Sequence, residues 1–109
     1  FSGVVYGVVT NGSNLPLGGV QVESESYRDA CTTSLKIGGS SPILTTTDAA
    51  GRFRQQIITE SISSAQCIRV IAHPPTGTPV PVEATGLRFR LYGGGSARDD
   101  SIRVDVLVP

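Results

Sequence analysis

The last eight residues before the C-terminal proline set the strongest limit on what this chain can become. Ile102, Val104, Val106 and Val108 fall on one parity, and Arg103 and Asp105 fall on the other. A repeat of two puts alternate side chains on opposite faces of an extended strand, so this segment has one dry face and one wet face. The same alternation recurs in Leu87, Phe89 and Leu91 against Arg88 and Arg90. Helical spacing is scarce, and Gly, Pro, Asn and Asp punctuate every short β-branched run. We read seven strands: Val4 to Val9, Val20 to Ser26, Leu44 to Thr47, Arg52 to Ile57, Cys67 to Ala72, Gly86 to Leu91 and Ser101 to Val108. Short strands at this spacing predict an all-β, seven-stranded antiparallel sandwich, with a small closed barrel as the alternative.

With 109 residues, the chain is expected to form a single domain over 1–109, with one core. No internal repeat or linker divides it. It has 13 Gly and 7 Pro, and only 17% of its residues are charged, so it is turn-rich and polar without being highly charged. Nine basic residues balance nine acidic ones, which leaves no overall field to draw in nucleic acid or an anionic bilayer. No apolar run approaches the length of a membrane-spanning helix, so no membrane insertion is expected.

The chain begins at Phe1 and contains no Met, as expected of a segment left by removal of a signal peptide or of an excised piece. Its two cysteines, Cys31 and Cys67, are too few for a four-ligand zinc site. A disulfide between them is the expectation, and two buried thiols the alternative. The bond would constrain the unfolded chain by about 4 kcal/mol in the loop-entropy account, and it implies an oxidising, secreted or cell-surface location.

Turn chemistry is well marked. In Thr47 to Phe53, Asp48 is placed to cap a hairpin turn and Gly51 to take the left-handed conformation. Leu15 to Val20 reads as a second turn entering a strand. The stretch 27–43 is long for a connection, and Cys31 is expected to tie it down. Pro74, Pro75, Pro79 and Pro81 predict an extended, stiff connector after the fifth strand. Thr59 to Gln66 has room for one capped helical turn.

Two motifs carry a resemblance. Leu15-Pro16-Leu17-Gly18-Gly19-Val20-Gln21-Val22, followed by Thr46-Thr47-Asp48-Ala49-Ala50-Gly51-Arg52-Phe53, is similar to the carboxypeptidase regulatory-like domain family. That resemblance covers the first half of the chain. It implies a transthyretin-like Greek-key sandwich of seven strands, with a non-catalytic accessory, adhesive or structural role. It transfers no active-site residues.

The motifs of enzymes on similar folds are incomplete in this chain. Transthyretin-like hydrolases of purine breakdown use several histidines and a C-terminal Tyr-Arg-Gly-Ser, whereas this chain has His73 alone and a Tyr92-Gly93-Gly94-Gly95-Ser96 string that lacks the arginine. Ring-cleaving dioxygenases of a related sandwich hold iron with two His and two Tyr, which one histidine cannot supply. No Gly-x-Ser-x-Gly, Gly-x-Gly-x-x-Gly or phosphate-loop pattern occurs. His73 precedes Pro74 at a strand end, where a solvated or locally bonded imidazole is expected. Asp99 and Asp100 lack the spaced acidic series of a calcium loop and read as a solvated turn. Lys36, Asn11 and Asn14 fall in loops, which does not suit an isopeptide bond. No catalytic residue, metal or cofactor is therefore assigned.

Asn11-Gly12-Ser13 is a glycosylation sequon and equally a turn. Tyr27 and Tyr92, in loops, are the candidate sugar platform. The outward strand arginines, among them Arg52, Arg54, Arg69 and Arg103, are expected to pair with Glu23, Glu25 and Asp105. The first strand is apolar on both parities, Val4, Tyr6 and Val8 against Val5, Gly7 and Val9, so one row is left over whichever face is inward. With Leu107 beside it, the row Val5, Val9 and Leu107 is assigned as a contact surface. The sequence reading is thus of a non-enzymatic extracellular module that associates with copies of itself or a surface assembly, with a carbohydrate-binding or adhesion accessory domain as the alternative.

Overall fold

The computed structural model describes residues 2–27, 31, 36–37, 43–58, 67–85 and 100–109. Its strands are β1 (Ser2–Asn11), β2 (Gln21–Tyr27), β3 (Lys36–Ile37), β4 (Ile43–Thr46), β5 (Arg52–Ile58), β6 (Cys67–His73), β7 (Val80–Thr85), β8 (Asp100–Arg103) and β9 (Val106–Val108). They form two sheets. In the first, β1 is central, with β5 on one edge and β8 followed by β9 on the other. In the second, β7, β6 and β2 run side by side, and β3 and β4 share the far edge of β2.

The period-two pattern explains how the sheets close on each other. Val5, Val9, Phe53, Ile57, Val104, Val106 and Val108 from the first sheet meet Val20, Val22, Ile68, Val70 and Ala72 from the second in one buried cluster. Half-buried Val80, Val82 and Ala84 of β7 extend it. Apolar burial on this scale is the main favourable contribution to folding. One polar tie crosses the core. Gln55, opposite Val5, donates from Nε2 to the Val22 carbonyl at 3.1 Å and accepts from the Ser24 hydroxyl through Oε1.

The expectation of seven antiparallel strands is corrected in number and direction. Nine strand segments are present among the described residues, or eight strands if β8 and β9 are joined across Val104 and Asp105. Both run parallel to β1, whereas β5 runs antiparallel to it. An alternating apolar pattern specifies a half-dry strand but is the same for either direction, so the sequence could not reveal this. The break sits where β8–β9 crosses Gly7: a Cβ on Gly7 would collide with the Val104 carbonyl. Across that break the predicted parity holds, with Val104, Val106 and Val108 buried and Arg103, Asp105 and Leu107 exposed.

Two further differences have physical causes. The proline-rich connector ends in a strand, β7, where Pro81 is tolerated because, among the described residues, β7 is an edge strand paired with β6 alone. The turn after β4 forms as expected but does not close a hairpin within one sheet. It carries the chain from β4 in the second sheet to β5 in the first. The sixth strand of the sequence reading, 86–91, the helical turn at 59–66, Asp99 and Tyr92 lie outside the described residues.

The two motifs of the sequence reading, about thirty residues apart, build one corner. Thr47 is buried, and its hydroxyl accepts from the Val20 amide at 2.9 Å while donating to the Leu17 carbonyl at 2.7 Å. The Gly19 amide reaches the Thr47 carbonyl, and the Thr47 amide the Val20 carbonyl. Gly51 adopts φ 74° and has no room for a side chain between Pro16 and the Val9 carbonyl. Asp48 Oδ1 accepts from the Ala50 and Arg52 amides, each at 2.9 Å. These amides, together with the Arg52 guanidinium, hold the Asp48 carboxyl below its ordinary value.

Candidate functional site

A groove lies on the outer face of the first sheet, beside this corner. It has a volume of about 950 Å³, within the size range of small-molecule sites, and is open to solvent. Its centre is set by strand register. Tyr6 on β1 stands opposite Arg54 of β5 and opposite Arg103 of β8. Side chains directly opposite on adjacent strands share a face, so the sheet presents an Arg-Tyr-Arg row across three strands. Val4, which is buried, and Val8 continue the Tyr6 parity along β1, and Thr45, Thr46 and Ser101 complete the lining.

The charges in this groove are not equivalent. Arg52 Nε donates to Asp48 Oδ2 at 3.0 Å. Arg103 Nε donates to both Asp105 carboxylate oxygens at 3.1 Å, and Asp105 Oδ1 also accepts from the Val8 amide at 3.0 Å. Arg54 has no ion pair or hydrogen bond to another side chain among the described residues. Among the described residues the groove therefore offers one uncommitted guanidinium, beside the exposed ring of Tyr6.

The opposite outer face has a different character. Arg69 on β6 is a hub. Its Nη2 donates to the Cys31 carbonyl at 2.7 Å and to Glu83 Oε2 at 3.1 Å, and its Nη1 lies 3.9 Å from Glu25 Oε1. Its guanidinium carbon is 5.4 Å from the Tyr27 ring centre. The hydrogen bond to Glu83 raises the Arg69 pKa further above its ordinary value. His73 Nε2 pairs with Glu23 Oε1 at 2.9 Å, the local bonding expected of it. A disulfide joins Cys31 to Cys67, with 5.5 Å between their Cα atoms, as the cysteine count predicted.

Several assigned residues take other roles. Val5 and Val9 are fully buried core residues, so they present no contact surface; the odd parity of β1 faces inward, together with Phe53, Gln55 and Ile57. Leu107 is 57% exposed, but it stands beside Thr10 rather than beside a row formed by Val5 and Val9. Tyr27 is 2% exposed and covered by Arg69, which removes it as a sugar platform. Asn11 Oδ1 accepts from the Ser13 and Leu15 amides at 2.8 and 3.1 Å, the turn role that the sequence allowed. The expected cross-strand pair forms at Arg69 with Glu25, whereas Arg103 pairs with Asp105 two residues along its own segment and Glu23 takes His73. The Tyr6 and Arg54 pair was missed, although the even parity of β1 and the outward Arg54 of β5 were the signals that placed it.

No protein-family model matches the chain, and no curated protein matches it. Solved structures do. The chain is similar to the dioxygenase domain of a dioxygenase and carbohydrate-binding protein fusion from the cellulolytic bacterium Streptomyces sp. SirexAA-E, at 18% identity and TM-score 0.61, over 98% of this chain and 79% of that one. It is similar to hydroxyquinol 1,2-dioxygenase from Pseudomonas putida DLL-E4, at 10% identity and TM-score 0.59, over 97% of this chain and 55% of that one. It also resembles 3-chlorocatechol 1,2-dioxygenase from Rhodococcus opacus 1CP, at 11% identity and TM-score 0.53, over 81% of this chain and 43% of that one. At these identities the likeness is one of fold. It corrects the expectation of a non-enzymatic structural or self-associating module, and its carbohydrate-binding or adhesion alternative, because these three similar structures are dioxygenases.

The iron set of two His and two Tyr does not fit these residues. The chain has one histidine, and His73 is engaged by Glu23 on the outer face opposite Tyr6. Tyr27 is closed off beneath Arg69. Among the described residues, the one cluster of three ligand-type side chains is Cys31, Cys67 and Glu83, and both its sulfurs are spent in the disulfide. No helix among the described residues is long and apolar enough to cross a membrane.

Proposed function

We propose that this chain is a small-molecule enzyme domain on the dioxygenase-type sandwich, whose substrate contact is the groove on the outer face of β5, β1 and β8. A single observation carries the reading. The register of three strands sets the exposed Tyr6 ring between Arg54 and Arg103, with Arg54 free of a carboxylate partner among the described residues. An unpaired guanidinium beside an aromatic face binds and orients a ligand, which lowers the entropy cost of a later chemical step. The chain's own side chains supply positioning, and no oxygen-activating step is derived from them.

The disulfide supports an oxidising, extracytoplasmic setting as part of this proposal. Kinship with carboxypeptidase regulatory-like domains and a transthyretin-like Greek key belong to it too, and the joint corner formed by the two motifs supports that kinship.

Thermal-shift screening of small organic ligands against the wild-type chain and Tyr6→Ala tests the reading. Ligands that raise the wild-type Tm should lose that effect in the variant, since binding at a hundred times Kd contributes about 2.7 kcal/mol. Equal shifts in both proteins would place the ligand site elsewhere.

A further inference from the structure

The structure assigns a chemical class to the ligand of this groove: a six-membered ring bearing hydroxyls and a single carboxylate, with the carboxylate on Arg54. The inference rests on the reading of the groove as the substrate site and adds what that site recognises. Of the three described arginines on this face, Arg52 is neutralised by Asp48 and Arg103 by Asp105. Among the described residues one uncompensated positive charge therefore remains, and it calls for one negative charge. A guanidinium presents its donors as a planar fork that matches both oxygens of a carboxylate.

Ring shape follows from the floor. Tyr6, 39% exposed, with half-buried Val8 on the same parity, offers a narrow apolar strip one residue pair away from Arg54 along the interstrand direction. Neighbouring strands are about 4.8 Å apart, so a ring lying over Tyr6 holds a directly attached carboxylate within reach of Arg54. Thr45, Thr46 and Ser101 are among the lining residues, and a hydroxyl side chain both donates and accepts, which suits ring hydroxyls rather than a bare hydrocarbon. The face opposite carries Glu25 and Glu83 around Arg69 and Glu23 beside His73, and would repel the same ligand.

Two sources share this chemistry, hydroxylated aromatic acids and acidic sugars. Titration calorimetry on the whole chain with its disulfide intact separates them, using 4-hydroxybenzoate and D-galacturonate as probes and 4-hydroxybenzamide and D-galactose as their uncharged counterparts. At least one acid should bind about tenfold to a hundredfold more tightly than its counterpart, the range of a charge-assisted hydrogen-bonded pair. Arg54→Gln should erase that ratio, Arg54→Lys should keep part of it, and Arg69→Gln should leave it unchanged. Binding of an uncharged counterpart as tight as its acid, still abolished by Tyr6→Ala, would overturn the carboxylate assignment while the groove stands. Acid binding insensitive to Arg54→Gln would overturn it as well. Failure of all four probes to bind would overturn both the class and the groove. Because Arg54 is exposed and outside the core, its variants should melt with the wild type, which makes a lost ratio a loss of recognition.

Discussion

Replacing Thr47 by Val should damage this protein far more than the near-equal volume of the two side chains suggests. Thr47 is 5% exposed, and its hydroxyl satisfies both the amide of Val20, itself 2% exposed, and the carbonyl of Leu17. Valine fills the space and removes both partners. An unsatisfied buried polar group costs about 1–3 kcal/mol, and the half-buried Leu17 carbonyl recovers part of its share from water, so the loss should be about 2–4 kcal/mol. For a chain of this size that corresponds to a fall in Tm of about 10–25 °C. Thr47→Ser keeps both bonds and deletes one buried methyl, at about 1 kcal/mol. Urea unfolding of the disulfide-bonded protein, followed by far-UV circular dichroism, gives both values on one scale. A Thr47→Val protein within 0.5 kcal/mol of wild type by this assay, or a Thr47→Ser protein the weaker of the two, would refute the claim that this hydroxyl joins the two motifs.

Gly7→Ala should prevent β8–β9 from docking on β1, because the new methyl meets the Val104 backbone, which is itself bonded to Tyr6; hydrogen exchange should show the amide of Val104 losing protection while β6 retains its own. Reduction of Cys31–Cys67 should lower stability by about 4 kcal/mol in the loop-entropy account, and chemical denaturation with and without a reductant measures it. Because the Asp48 carboxyl is held below its ordinary value of 3.8, its contribution is complete above that pH and fades as the pH falls through the lower folded value; the stability of Asp48→Asn should be flatter across this acid range than that of wild type. Ferric iron offered to the purified chain should be recovered at well under one equivalent after desalting, as read by elemental analysis, since one histidine cannot complete the set.

Alternation made the strands legible. Parity along 102–108 identified the buried face of the last strand even across the break at Val104 and Asp105, and Asp48 with Gly51 marked a turn whose geometry is as their chemistry requires. Direction and sheet membership were not legible. Parallel and antiparallel neighbours impose the same pattern on Ile102 to Val108, and a tight turn at Asp48 does not say whether its two strands stay in one sheet. The site suffered from a tie within β1. Val5 and Val9 differ little in character from Val4 and Val8, so the inward row was fixed only by what faces it, namely Phe53, Gln55 and Ile57 from β5. Choosing the other row hid Tyr6 and its two arginines. The cysteines gave their pairing because a chain with two of them has one intramolecular choice, whereas the burial of Tyr27 depends on Arg69, forty-two positions away, and no local pattern announces it.

The placement of the ligand on the β1 face is tested most directly by nitrogen-15 amide shift mapping during titration with 4-hydroxybenzoate and, in parallel, D-galacturonate. Perturbed amides should cluster at Tyr6, Arg54, Ser101 and Arg103 for whichever acid binds, with Glu23, Arg69 and His73 on the opposite face unmoved. Shifts concentrated on Glu23, Arg69 and His73, with the Tyr6 row silent, would contradict the account.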